Sequence, residues 1–157
     1  MKKKTPKRPP WEQYFLNLAK VVRERSNCLR QQVGVVLVKN KRIIATGYNG
    51  TPAGIKNCFD GGCKRCSHRH SNKMKVNERK DLCICVHAEE NALLQSAFHG
   101  VSSKDAIMYS TIAPCAQCAK SIINAGVAKV VYSAGHTDDF GLKLLKQGRV
   151  VVQKYSK

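Results

Sequence analysis

The chain has 157 residues, enough for a single domain with a real core, since 43% of it is hydrophobic. No apolar run approaches the ~18 residues of a membrane span, and the basic N-terminus carries no apolar stretch of the secretory type. The formal net charge is +18, which points to phosphate-bearing partners, whether a free nucleotide or a polynucleotide.

In chain order, the N-terminal "MKKKTPKRPP", residues 1–10, reads as a basic disordered arm. Such an arm can solubilise, tether nucleic acid or carry a targeting signal. Trp11, Phe15, Leu18 and Val22 then repeat at helical spacing. "QVGVVLVKNKRIIATGYNG" predicts a β-hairpin turning at Lys39 to Lys41. Residues 50–82 are a long irregular stretch, above the ~15 residues at which a loop is usually functional or held by something. A second basic cluster lies inside it: residues 64–80 carry seven Lys or Arg against one Glu.

Beyond the loop the chain alternates. A helix is expected from about Ala88 to Phe98, a strand at "AIMYST", and a helix from about Cys115 to Asn124 that Gly126 ends. A strand at "KVVYS", a helix at "DDFGLKLLKQ" and a strand at "RVVVQKY" follow. Helices between strands imply a three-layer α/β/α domain with a mixed sheet of about five strands.

Eight cysteines without a secretory signal suggest a reducing compartment, and cysteines at metal spacing suggest zinc there. The chemistry concentrates in two short motifs. "CVHAEENALL" places His87 and Glu89 where a helix begins, and "APCAQCAKS" places Cys115 and Cys118 on the first turn of another. A helix N-terminus favours thiolates. His87, Cys115 and Cys118 make three zinc ligands and leave a fourth position open, the catalytic pattern. Glu89 is not needed as a ligand and can carry the proton of a zinc-activated water. This H-x-E…P-C-x-x-C pattern is that of zinc nucleobase deaminases. Glu90 reads as a first-turn acid suited to the helix dipole. Asn91 either buttresses the turn or touches substrate.

"CVHAEENALL", "APCAQCAKSIINAG" and "VGVVLVKNKRIIATGYNGTPAG" together resemble the deoxycytidylate (dCMP) deaminases of the cytidine deaminase-like superfamily. "NCFDGGCKRC" followed by "CICVHAEENALL" looks most like their yeast, eukaryotic-type branch. The resemblance spans Trp11 to Tyr155, and it implies a zinc deaminase domain over residues 11–157. It implies hydrolysis of dCMP to dUMP and ammonia, supplying thymidylate synthesis. It makes Glu89 the proton shuttle, Ala88 a backbone reader of the pyrimidine and Ala113 a wall of the base pocket. Asn49 would contact the sugar or a regulatory nucleotide. Tyr48, Asn49 and Gly50 would belong to an allosteric dCTP/dTTP site, with Mg2+ accompanying the effector, in a homo-oligomer. A second, structural zinc would hold the 50–82 loop. Its candidate ligands are Cys28, Cys58, Cys63 or Cys66, and Cys83, with Cys85, His68 and His70 nearby; six thiolates could also serve two metals. One position departs from the pattern. Where relatives are expected to carry a basic residue for the substrate phosphate, eleven after His87, this chain has Phe98 and then His99. A deaminase of single-stranded DNA or RNA is the competing reading, favoured by the charge and opposed by an aromatic content of 6%. Residence in the cytoplasm is expected, or in the nucleus through the basic arm.

Overall fold

The computed structural model describes residues 7–76, 78–135 and 139–156, so most of the basic arm lies outside the described residues. Helix α1 (Trp11–Val22) is followed by the hairpin strands β1 (Gly34–Lys39) and β2 (Arg42–Tyr48). The short helix α2 (Lys64–His70) interrupts the long loop. Then come α3 (Ala88–Phe98), β3 (Ile107–Ile112), α4 (Ala116–Asn124), β4 (Lys129–Ala134), α5 (Phe140–Gln147) and β5 (Val151–Lys154). The sheet order is β2-β1-β3-β4-β5. β1 pairs antiparallel with β2 and with β3, whereas β3–β4 and β4–β5 are parallel. Helices α4 and α5 are therefore the crossovers of two consecutive βαβ units.

Strand alternation divides the core. Val35, Leu37, Met108 and Val130 point to the face covered by α3, α4 and α5, through Ala88, Ala92, Ala119, Ile122 and Leu145. Val36, Val38, Tyr109 and Val131 point to the other face, where α1 packs with Phe15, Leu16 and Ala19. Strands β1 and β3 are buried on both faces; β1 reads as the continuous aliphatic run Val35 to Val38 that this position favours, whereas β3 mixes Ile and Met with Tyr, Ser and Thr. The hairpin turn has positive φ at Asn40 and Lys41, the primed geometry that matches strand twist.

The irregular reading of residues 50–82 holds except for α2 and two single turns of 3-10 helix, Cys58–Asp60 and Lys80–Leu82. The sequence "KRCSHRH" hides α2, because it has no aliphatic residue to mark a helical period. Among the described residues, no helix is long and apolar enough to cross a membrane.

Candidate active site

His87 is the N-cap residue of α3 and Cys115 the N-cap residue of α4, and neither side chain caps its own helix. Both are thus available for other work. The helices start close together because β2 holds the first turn of α3. A Cβ on Gly47 would stand 2.1 Å from the Ala88 carbonyl oxygen, so only glycine allows this approach. Thr46 N–H donates to Gln95 Oε1 at 2.7 Å, and Asn91 Nδ2 donates to the Tyr48 carbonyl at 2.8 Å. Asn91 therefore buttresses the α3–β2 contact. On the other side, Gly141 at the start of α5 abuts the Pro114 carbonyl, where a Cβ would come within 2.3 Å.

His87 Nδ1 lies 3.3 Å from Cys118 Sγ and 3.5 Å from Cys115 Sγ. All three donor atoms fall within 4.8 Å of one another. A tetrahedral zinc with Zn–N near 2.0 Å and Zn–S near 2.3 Å has an N–S edge of about 3.5 Å. Donor chemistry and spacing both fit zinc, with room for one non-protein ligand.

The charges within this trio respond to one another. Cys115 is held down to about 3, chiefly by the hydrogen bond from Cys118 and then by His87. That same bond, with burial, pushes the Cys118 thiol up. The Cys115 thiolate raises His87 to about 9. Glu89 is 3% exposed, and burial raises its carboxyl to about 7. The Cys118 thiol donates to Glu89 Oε2 at 3.5 Å. None of the three ion pairs among the described residues involves Glu89. A buried carboxyl poised near neutrality beside a metal-ligand trio can both accept and return a proton.

These groups open onto a cavity of about 80 Å³ lined by Gln31, Val33, Asn49, His87, Ala88, Glu89, Ile112, Ala113 and Cys115. Gln31, Val33 and Ile112 carry no chemical motif, and sequence alone did not single them out. Asn49 is held tightly. Its Oδ1 accepts from Ser26 Oγ and from Val33 N–H, both at 2.8 Å, and its Nδ2 donates to the Gln31 carbonyl at 2.6 Å. Asn49→Ala strands these buried partners, and the expected cost is about 2–3 kcal/mol. A thermal melt of the purified variant reads it as a lowered Tm.

Tyr48 and Gly50, the neighbours of Asn49, face elsewhere. They line a groove of about 660 Å³ with Asn91, Leu94 and Phe98. Phe98 is 88% exposed and is not part of the cavity at His87. Cys28, Cys58, Cys63, Cys66, Cys83 and Cys85 gather in a separate cluster. Cys85, outside the expected ligand set, lies inside both of its four-sulfur groups, whereas Cys83 does not join Cys28 and Cys58 in one group. The Cys83-x-Cys85 spacing was the signal for it. His68 and His70 are in neither group.

The model of the cytidine and deoxycytidylate deaminase zinc-binding region matches residues 9–134. The chain belongs to this family. Among its relatives, the deoxycytidylate deaminase of Saccharomyces cerevisiae is 41% identical over 150 residues, covering 95% of this chain and 46% of its own length. The chain thus spans less than half of that fungal relative. The deoxycytidylate deaminase of Mycobacterium phage D29 is 39% identical over 80% of this chain and 95% of its own length. The crystal structure of dCMP deaminase from the cyanophage S-TIM5 in complex with dCMP and dUMP superposes with a TM-score of 0.76. It is 32% identical, over 96% of this chain and all of that one. The family and the mixed five-stranded fold agree with the resemblance carried by the two motifs.

Proposed function

We propose that this chain hydrolyses dCMP to dUMP and ammonia and so supplies dUMP for thymidylate synthesis. The observation that carries the reading is Glu89, a buried carboxyl that lines the same small cavity as His87 and Cys115 and lies 3.5 Å from Cys118 Sγ. His87, Cys115 and Cys118 would hold zinc, which when bound would acidify a water at the open position and so supply a nucleophile at neutral pH. Glu89 takes the proton of that water at a carboxylate oxygen. It delivers this proton to N3 of the cytosine as the C4–O bond forms. It then takes the proton of the new C4 hydroxyl and delivers it to the amino group, and the C4–N bond breaks to release ammonia as the C4=O bond of uracil forms. The Ala88 backbone and Ala113 border the ring, and both line the cavity. One amide proton of Asn49 is committed to Gln31 and the other is left for a sugar oxygen.

The small cavity favours a single base over a strand. Its lining contains no Phe, Tyr or Trp on which neighbouring bases could stack. The rest of the reading follows the resemblance: regulation by dCTP and dTTP with Mg2+, with Tyr48 and Gly50 at the outer groove; a homo-oligomer; a metal pinning the 50–82 loop; and a cytoplasmic setting.

The test is ammonia release by zinc-loaded protein offered dCMP, dCTP, deoxycytidine and a cytosine-bearing single-stranded oligonucleotide, with Glu89→Ala as blank. Turnover of dCMP, lost in the blank, is expected. Turnover of the oligonucleotide with dCMP ignored would reassign the substrate to nucleic acid. Salt separates the two independently. For dCMP, log kcat/KM should fall by no more than about one unit per log unit of salt, whereas a polynucleotide adds about one unit for every phosphate contacted.

A further inference from the structure

The six cysteines away from the cavity form a second sulfur-rich centre whose arrangement fixes how many metals it takes. Cys28, Cys58, Cys63, Cys66 and Cys85 are all buried, and Cys83 packs against them. Each of the six is a free thiol. Two groups of four have all their sulfurs within 4.8 Å of one another: Cys28, Cys58, Cys66 and Cys85, and Cys63, Cys66, Cys83 and Cys85. The groups share two members, Cys66 and Cys85. Cys66 Sγ and Cys83 Sγ are 3.8 Å apart. A disulfide needs about 2.05 Å. The sulfur–sulfur edge of a zinc tetrathiolate, with Zn–S near 2.3 Å, is about 3.8 Å.

One tetrahedral metal cannot use this set. In the first group it leaves Cys63 and Cys83 unligated beside an anionic tetrathiolate. In the second it leaves Cys28 and Cys58. Two metals that share Cys66 and Cys85 reach four sulfurs each and use all six. The geometry points to a binuclear thiolate centre for two zinc-like divalent cations, with Cys28 and Cys58 terminal on one, Cys63 and Cys83 terminal on the other, and Cys66 and Cys85 bridging. This deepens the reading that a metal pins the loop, and it stands independently of the deaminase reaction.

Two further features agree. Two of the terminal sulfurs accept backbone N–H groups, which favours thiolate ligands: Leu29 N–H reaches Cys58 Sγ at 3.5 Å and Arg30 N–H reaches Cys28 Sγ at 3.4 Å. Charge is the second feature. Six thiolates around two divalent cations keep a net charge of about −2. Cys66 lies in α2 and Cys63 just before it, within and beside the segment 64–80 in which there are seven Lys or Arg and one Glu. Arg65 and Arg69 fold that segment on itself, donating to the carbonyls of Val76, Glu78 and Met74. Arg30 donates to the Arg69 carbonyl and joins the Cys28 turn to α2. Among the described residues, none of these three arginines is in an ion pair.

The test counts metals per chain by native mass spectrometry and elemental analysis, on the full chain purified under thiol reductant with zinc. The parent should hold three, and the double variant His87→Ala, Cys115→Ser should hold two. Two in both would leave the binuclear centre standing and overturn the catalytic zinc. One or none in the double variant overturns the proposal. The bridging is read separately, by cadmium-113 NMR of the cadmium-exchanged parent. Two all-sulfur resonances split by coupling through the shared thiolates are expected. Two unsplit resonances, or a single one, would overturn the sharing of Cys66 and Cys85.

Discussion

Glu89→Gln is expected to lower turnover of dCMP by about 10²–10⁴-fold, the usual contribution of a positioned acid–base group, with zinc content unchanged. Glutamine keeps the size of the side chain in a site that is 3% exposed, so packing around Ala88 and Cys118 should survive. It cannot accept a proton from water or pass one to the ring. The defect should therefore fall on kcat, with little effect on KM. Steady-state ammonia release beside a zinc assay of the same sample makes the measurement. Turnover within about threefold of the parent, with metal retained, would remove Glu89 from the reaction. Loss of zinc along with activity would instead make it a structural support of the Cys118 side chain.

The centre of the fold was legible because its signals are local. Val35 to Val38 and Val130 to Val131 announce buried strands, and the four-three-four spacing from Trp11 to Val22 announces a helix. The His87, Cys115 and Cys118 trio was legible for a related reason. Each ligand is tied to a helix start, and the intervening β3 leaves little freedom in where those starts meet. The sulfur cluster is a different case. Its six cysteines come from four stretches spread over residues 28–85, and nothing in their spacing says which sulfurs share a neighbour. Cys85 escaped the expected ligand set although it sits two residues before His87, because membership depends on how α2 folds back over Cys28. Asn91 was undecided for the same reason, since only the position of the Tyr48 carbonyl decides what its amide meets.

Stripping the metals should unravel residues 50–85 while the sheet stays folded. The cluster's buried side chains are the cysteines themselves, with only Leu29 as an aliphatic neighbour, whereas the sheet has two aliphatic cores of its own. Apolar burial at about 25 cal/mol per Å² therefore does little for the loop. A structural zinc site contributes on the order of 10 kcal/mol, so the metals decide whether the loop folds. Trypsin reads the difference directly, because residues 64–80 carry seven Lys or Arg. Cleavage there should be slow in the zinc-loaded chain and fast after chelation under reductant, with the strands from Ile107 to Ala134 protected in both. The loop also reaches the active site, since Val86, between Cys85 and His87, pairs with Gly50 through hydrogen bonds of 2.8 and 3.2 Å. A chelator that empties only the catalytic trio should abolish ammonia release and leave the trypsin pattern of the loaded chain. Deeper chelation should add the cleavages at 64–80, and readdition of one zinc per chain should then fail to restore full protection. Cleavage at 64–80 that is equally slow in the metal-free chain would mean that the loop holds itself, and that the six cysteines pack as ordinary buried thiols.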